Sequence, residues 1–180
     1  MAAWYYTARK KFAPSTTSDW QSYLNFSGFH HISELVSADS ILCPNLVTEI
    51  IDSDWNHNVH EDLYIDCFLD FDYLKKRINF DPIWHNLLAI WERPTSIEIP
   101  LVGFEQCGFD LLDSYNSISV LTNCGQFPQL FKPDSVNRYG LFDDLSLACQ
   151  SAEQLRNTYP EDPHCQDCRV WQITRYVNSK

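Results

Sequence analysis

The sequence predicts an α+β fold: a single domain over 1–180, with a mostly antiparallel or mixed sheet of about five or six strands and three or four helices packed on it. Three observations lead there. Short runs of β-favouring and aromatic residues recur along the chain, as in Leu87-Leu88-Ala89-Ile90-Trp91 and Arg169 to Val177. One long segment, Asp144 to Tyr159, carries an apolar stripe at three- and four-residue steps. The two kinds of segment do not alternate as a βαβ chain would. A length of 180 residues suits one domain, and 44% hydrophobic residues with 14% aromatics supply a core that a disordered chain lacks.

Ala3 to Phe12 opens on aromatic and β-favouring residues and reads as the first strand. Pro14 to Ser18 is a Ser/Thr loop. Ser18 stands where it would cap a short helix carrying Trp20, Tyr23 and Leu24, with Gln21 three positions on as in a capping box, and Gly28 ends it. Ile32 to Leu42 fits neither period, Pro44 breaks the chain, and Leu46 to Ile51 is a short apolar run of either type. Asp54 to Asp62 is polar, a loop or a single helical turn. From Leu63 acids interleave with large apolar residues. That stretch reads as a strand to about Phe68, then a helix from near Asp70 that buries Phe71, Leu74 and Ile78 and carries Lys75, Lys76 and Arg77 near its end, where cations suit the dipole.

Asn86 to Glu92 reads as a buried strand ended by Pro94, and Ile97 to Cys107 as a loop or short helix. Phe109 to Asp113 and Ile118 to Thr122 bracket Ser114-Tyr115-Asn116-Ser117 as a β-hairpin. Phe127 to Phe131 is a short helical piece. The strongest helix is Asp144 to Tyr159, with Leu145, Ala148, Ala152, Leu155 and Tyr159 on one stripe, Asp143 or Asp144 as cap and Pro160 as stop. Pro163 to Cys168 reads as a loop before the last strand, Arg169 to Val177.

Charge is distributed unevenly. Phe12 to Leu74 contains no lysine or arginine and eleven acids: Asp19, Glu34, Asp39, Glu49, Asp52, Asp54, Glu61, Asp62, Asp66, Asp70 and Asp72. The formal net charge is −11, so the remainder of the chain is neutral. The basic clusters, Arg9-Lys10-Lys11 and Lys75-Lys76-Arg77, are too small to make a nucleic-acid site beside so much negative charge, and an anionic membrane surface is disfavoured for the same reason. No apolar run approaches the roughly 18 residues that span a bilayer. The N-terminal residues lack a basic segment followed by an apolar one, so no secretory leader is expected. The seven cysteines are then expected to be reduced in a cytoplasmic protein, most of them as small core residues.

Three groups carry chemistry-bearing residue types. His57, His60 and Glu61 could share a metal from one helical turn, although the spacing is not that of the metalloprotease helix, and a polar loop explains it as well. Cys165 and Cys168 form one Cys-x2-Cys pair without the second pair that a structural zinc site needs. Cys124, in Thr122-Asn123-Cys124-Gly125, lies between a strand and a short helix, a corner that can expose a nucleophile. Its base would be one of six histidines, and a tight turn with a buried thiol explains the same residues. Serine-hydrolase elbows and glycine-rich phosphate loops are absent.

In size, acidity and fold class the chain is similar to immunity proteins of bacterial toxin systems, with no motif in common. The expectation is a non-enzymatic interaction protein, without cofactor, whose acidic face binds a basic partner protein such as a cationic toxin. Its contact residues would be Asp52, Asp54, Glu61, Asp62, Asp66, Asp70 and Asp72, with Trp55 and Tyr64 as aromatic anchors. The chain's many aromatics suit a homodimer interface as well as a core. The alternative is a thiol- or metal-dependent enzyme using Cys124 or the His57/His60 cluster.

Overall fold

The computed structural model of the chain describes residues 3–47, 65–113, 117–123 and 130–177. Four strands form one sheet: β1 (Tyr5–Lys10), β2 (His85–Glu92), β3 (Phe104–Asp113) and β4 (Cys168–Tyr176). Their order is β1-β2-β4-β3, and every neighbouring pair is antiparallel. The helices are α1 (Trp20–Ser27), α2 (Phe71–Arg77), α3 (Leu145–Thr158) and the single turn α4 (Pro163–Gln166). The protein is therefore α+β, with a purely antiparallel sheet of four strands among the described residues, fewer than the five or six expected.

The missing strands have become edge covers. Among the described residues, the segment read as a strand ending at Phe68 makes one bridge, to Tyr6, and the segment Ile118–Thr122 makes the bridge Leu112–Ser119. The hydrogen bonds Tyr6 N–H to Phe68 O (2.7 Å) and Leu46 N–H to Ala8 O (2.9 Å) occupy the free edge of β1. The bonds Asp113 N–H to Ile118 O (2.9 Å) and Phe109 N–H to Phe142 O (2.8 Å) do the same for β3. Open edges invite further strand pairing, and short crossings satisfy the backbone without extending the sheet. The expected hairpin is reduced to the Leu112–Ser119 bridge and its two flanking hydrogen bonds, and β3 takes β4 as its ladder partner.

Register separates the two faces. Phe109, Leu111 and Val170 lie on the same side as Leu87 and Ala89, and α2 and α3 both pack there. The opposite side carries Leu88, Ile90, Trp171 and Ile173 and is covered by loop residues Val36, Ala38, Tyr139 and Leu141. Helix ends follow local chemistry. The Asp70 side chain accepts from Tyr73 N–H (3.0 Å) and Asp144 from Leu147 N–H (2.7 Å), each capping its helix. α3 buries Ala148, Ser151, Ala152 and Leu155, close to the expected stripe. At α1 the cap residue is Asp19 rather than Ser18, with no side-chain cap bond, and Gly28 closes the helix at φ 74°. Residues 163–166 form a helical turn instead of a loop because Asp162 caps it, accepting from His164 N–H (2.9 Å), with Pro163 preset in the first helical position.

The register of β3 shifts between Gln106 and Gly108. Gly108 has φ 143°, and a β-carbon there would stand 2.6 Å from the Phe142 carbonyl oxygen and 2.7 Å from Leu141 Cβ. Neither contact can yield without moving the bridged segment. Gly108→Ala should therefore cost about 3 kcal/mol, read as a lower urea midpoint with an unchanged slope.

Candidate functional site

The acid-rich stretch is only partly in view. Asp52, Asp54, Trp55, His57, His60, Glu61, Asp62 and Tyr64 lie outside the described residues, as does Cys124. The described acids of the stretch have divergent roles. Asp39 is buried, Glu34 pairs with Arg175, and Asp66 accepts from Asn45 Nδ2 at 2.8 Å. Asp70 caps α2, and Asp72 is exposed in its first turn.

Two buried carboxylates organise the interior, and sequence reasoning did not single them out. Asp110 projects from β3 onto the loop-covered face. It accepts from the Ser37 hydroxyl, the Ser119 hydroxyl (2.6 Å) and Leu111 N–H (2.8 Å). Asp39 accepts from the backbone N–H groups of Ile41 (2.8 Å), Leu42 (2.7 Å) and Ser119 (2.7 Å), and from Asn123 Nδ2 (3.1 Å). Ser119 therefore ties both acids together. The one available signal was an aspartate at an inward position of the apolar run Phe109-Asp110-Leu111-Leu112. Burial pushes the Asp110 carboxyl up to about 6, against the lowering effect of the Ser119 and Ser37 hydrogen bonds.

A carboxylate–imidazole pair stands at the other side of the sheet. Asp113, buried at the end of β3, hydrogen-bonds His164 Nδ1 on α4, and the His164 side chain is 33% exposed. The other described histidines with hydrogen bonds meet backbone. His31 Nε2 meets the Val136 carbonyl (2.8 Å), and His85 Nδ1 accepts from Asp81 N–H (3.2 Å). The pairing fixes the imidazole's orientation and would support a proton acceptor. Cys165 beside it is buried, and desolvation pushes its thiol up to about 12, so it keeps its proton at neutral pH. Burial also raises Cys168, to about 11, and its Sγ lies 3.8 Å from the Ala152 carbonyl, as for a core thiol. Cys43, Cys67, Cys107, Cys149, Cys165 and Cys168 are all free of disulfides.

Among the described residues, exposed aliphatic side chains gather in one connection. In the connection from β2 to β3, Ile97, Ile99, Leu101 and Val102 are 58, 49, 46 and 98% exposed. That connection crosses β4 and is held in place. Gln172 Nε2 donates to the Glu98 carbonyl (2.7 Å), and Val177 N–H donates to the Gly103 carbonyl (2.7 Å). Phe104, which follows it, packs on Phe71 of α2 with ring centroids 4.9 Å apart, and Lys75 of the same helix donates to the Tyr176 hydroxyl at 2.8 Å.

Among the described residues, no cluster of three or more His, Cys, Asp or Glu side chains could hold a metal ion, and no helix is long and apolar enough to cross a membrane. No protein-family model matches the chain, and neither a curated protein nor a solved structure gives a significant match. The class that the coordinates define is an α+β protein with a four-stranded antiparallel sheet.

The Asp110 carboxyl gives a pH signature. The folded protein binds this proton more tightly than the unfolded chain, whose carboxyl titrates near the ordinary 3.8. Its contribution to stability is complete below about pH 4 and is lost as the pH rises through about 6, a difference on the order of 3 kcal/mol. The unfolding free energy of the native chain minus that of Asp110→Asn, measured in urea from pH 4 to 7, should fall by that amount.

Proposed function

We propose that this chain is a non-enzymatic interaction protein whose partner is a basic protein, and that neutralising a cationic toxin is its most concrete form. The observation that carries the reading is the exposed aliphatic segment of Ile97, Ile99, Leu101 and Val102. A contiguous apolar patch on a folded surface marks an interaction site, and here hydrogen bonds hold the backbone beneath it, so little ordering entropy is lost on docking. The net charge of −11 selects the partner's sign. Complementary charge speeds encounter and rejects acidic competitors, while the desolvated aliphatics slow release. The charged contacts we assign to this reading are Asp70 and Asp72 at the start of α2 and, outside the described residues, Asp52, Asp54, Glu61 and Asp62 with Trp55 and Tyr64 as aromatic anchors. The six cysteines among the described residues are free thiols, which suits a reducing, cytoplasmic setting.

The enzyme reading keeps one observation in its favour, the imidazole of His164 oriented by Asp113. In that case Cys124 would be the nucleophile, or His57, His60 and Glu61 would hold a metal.

Three outcomes are expected for the interaction reading. Binding to the basic protein encoded beside this gene, followed by stopped-flow fluorescence, should slow about tenfold in association between 50 and 300 mM salt. Ile99→Asp combined with Val102→Asp should weaken it by about 2 kcal/mol or more, mainly through faster release. Cys124 should alkylate no faster in the native chain than in His164→Ala. Binding insensitive to salt, or loss of self-association in place of partner binding in the Asp variants, would count against a basic partner. Rapid His164-dependent alkylation of Cys124, or stoichiometric metal lost on His57→Ala, would transfer the case to the enzyme.

A further inference from the structure

We propose that the cleft between α3, the start of β4 and the residues following β2 binds a small organic oxyanion, a phosphate ester or a carboxylate. The cleft has a volume of about 420 Å³, within the range of small-ligand sites, and brings together Arg93, Arg156 and Arg169. These are three of the seven arginines in a chain of net charge −11. They come from three elements: Arg93 from the connection after β2, Arg156 from the last turn of α3, and Arg169 from β4.

The three guanidinium groups are not equivalent. Arg169 is committed to Glu92 (2.6 Å) and Asp167 (3.5 Å) and forms a neutralised wall. Arg156 uses Nη1 on the Cys168 carbonyl (2.9 Å), which fixes the side chain and leaves its other N–H groups for a ligand. Arg93 has a side chain 70% exposed and only a loose 3.9 Å approach to Glu92. Its backbone is held, since its N–H donates to the Val170 carbonyl (2.9 Å) while φ is 48°. Arg93 and Arg156 thus present a forked donor pair at the two sides of one opening, the arrangement that planar or tetrahedral oxyanions accept. Pro94, Ala152 and Val170 supply an apolar lining for the organic part of the ligand. The excess of carboxylates elsewhere on the chain repels long polyanions, so the site favours a compact anion over nucleic acid.

The test reads Cys149, whose exposed thiol lies on the cleft wall, by peptide mass spectrometry after timed alkylation of the whole chain with iodoacetamide. Phenyl phosphate and benzoate serve as anionic probes and benzyl alcohol as the neutral one. At about 10 mM, enough to load a millimolar site, at least one anion should slow the reaction of Cys149 about fivefold while benzyl alcohol leaves it unchanged. Whichever anion protects better separates a phosphate ester from a carboxylate. Arg93→Gln alters an exposed side chain that approaches Glu92 only at 3.9 Å, and should raise the anion concentration for half-protection about tenfold; Arg156→Gln should do the same. Equal protection by benzyl alcohol, no protection by either anion, or protection unchanged in a folded Arg93→Gln chain would overturn the proposal.

Discussion

The interior depends on satisfying the Asp110 carboxylate. A charged group in an apolar strand is tolerable only when every lone pair it presents meets a donor, and here two serine hydroxyls and a backbone N–H converge on it. Ser37 comes from 73 residues away, while Ser119 lies nine residues on, in the return from β3. The loops that cover this face of the sheet are therefore positioned by hydrogen bonding to one side chain as much as by their own apolar residues. Asp39 completes the arrangement, since it gathers the N–H groups of Ile41 and Leu42 on one side and Ser119 on the other. Removing either acid's partners would leave a buried charge, which costs more than the lost bonds alone.

The two faces of the sheet are built on different principles. The helical face is mainly apolar contact, with α2 seated on Tyr6, Leu87 and Phe104 and α3 on Phe109, Leu111 and Val170, and it also holds the buried polar side chains of Asp113, Gln172 and Thr174. The loop face mixes apolar packing around Trp171 with buried polar groups, including Arg9 of β1, whose side chain is wholly enclosed. Desolvation lowers the Arg9 pKa, and the nearby Cys43, Asp66 and Asp39 oppose that effect. Part of the chain's acidity is consequently spent inside. Asp39 and Asp110 are internal, Glu34 meets Arg175, and Asp66 holds Asn45.

That internal use sharpens the surface argument. With those acids engaged, Asp19, Asp70 and Asp72 are the described acids of the stretch that stay exposed to solvent. A charged rim around an apolar centre is the usual composition of a specific interface. The arginine cleft lies on the α3 side, behind β4, and is chemically the opposite: basic, concave and small. The two features would take unlike ligands and need not compete.

Local sequence alone determined α2, α3 and the cores of β1, β2 and β4, because caps at Asp70 and Asp144, the stripe of Ala148, Ala152 and Leu155, and the run Leu87 to Ile90 act over a few residues. It also determined the excess of acid in one third of the chain. Which acids stay on the surface was decided only by tertiary structure: the donors that bury Asp110 and Asp39 arrive from up to 84 residues away. The same is true of the strand count, where the stretches near Phe68 and Ser119 have strand-like composition but close sheet edges by single bridges. It is true of the Asp113–His164 pair and the three-arginine cleft as well, since no periodicity in a sequence encodes the meeting of side chains from separate elements.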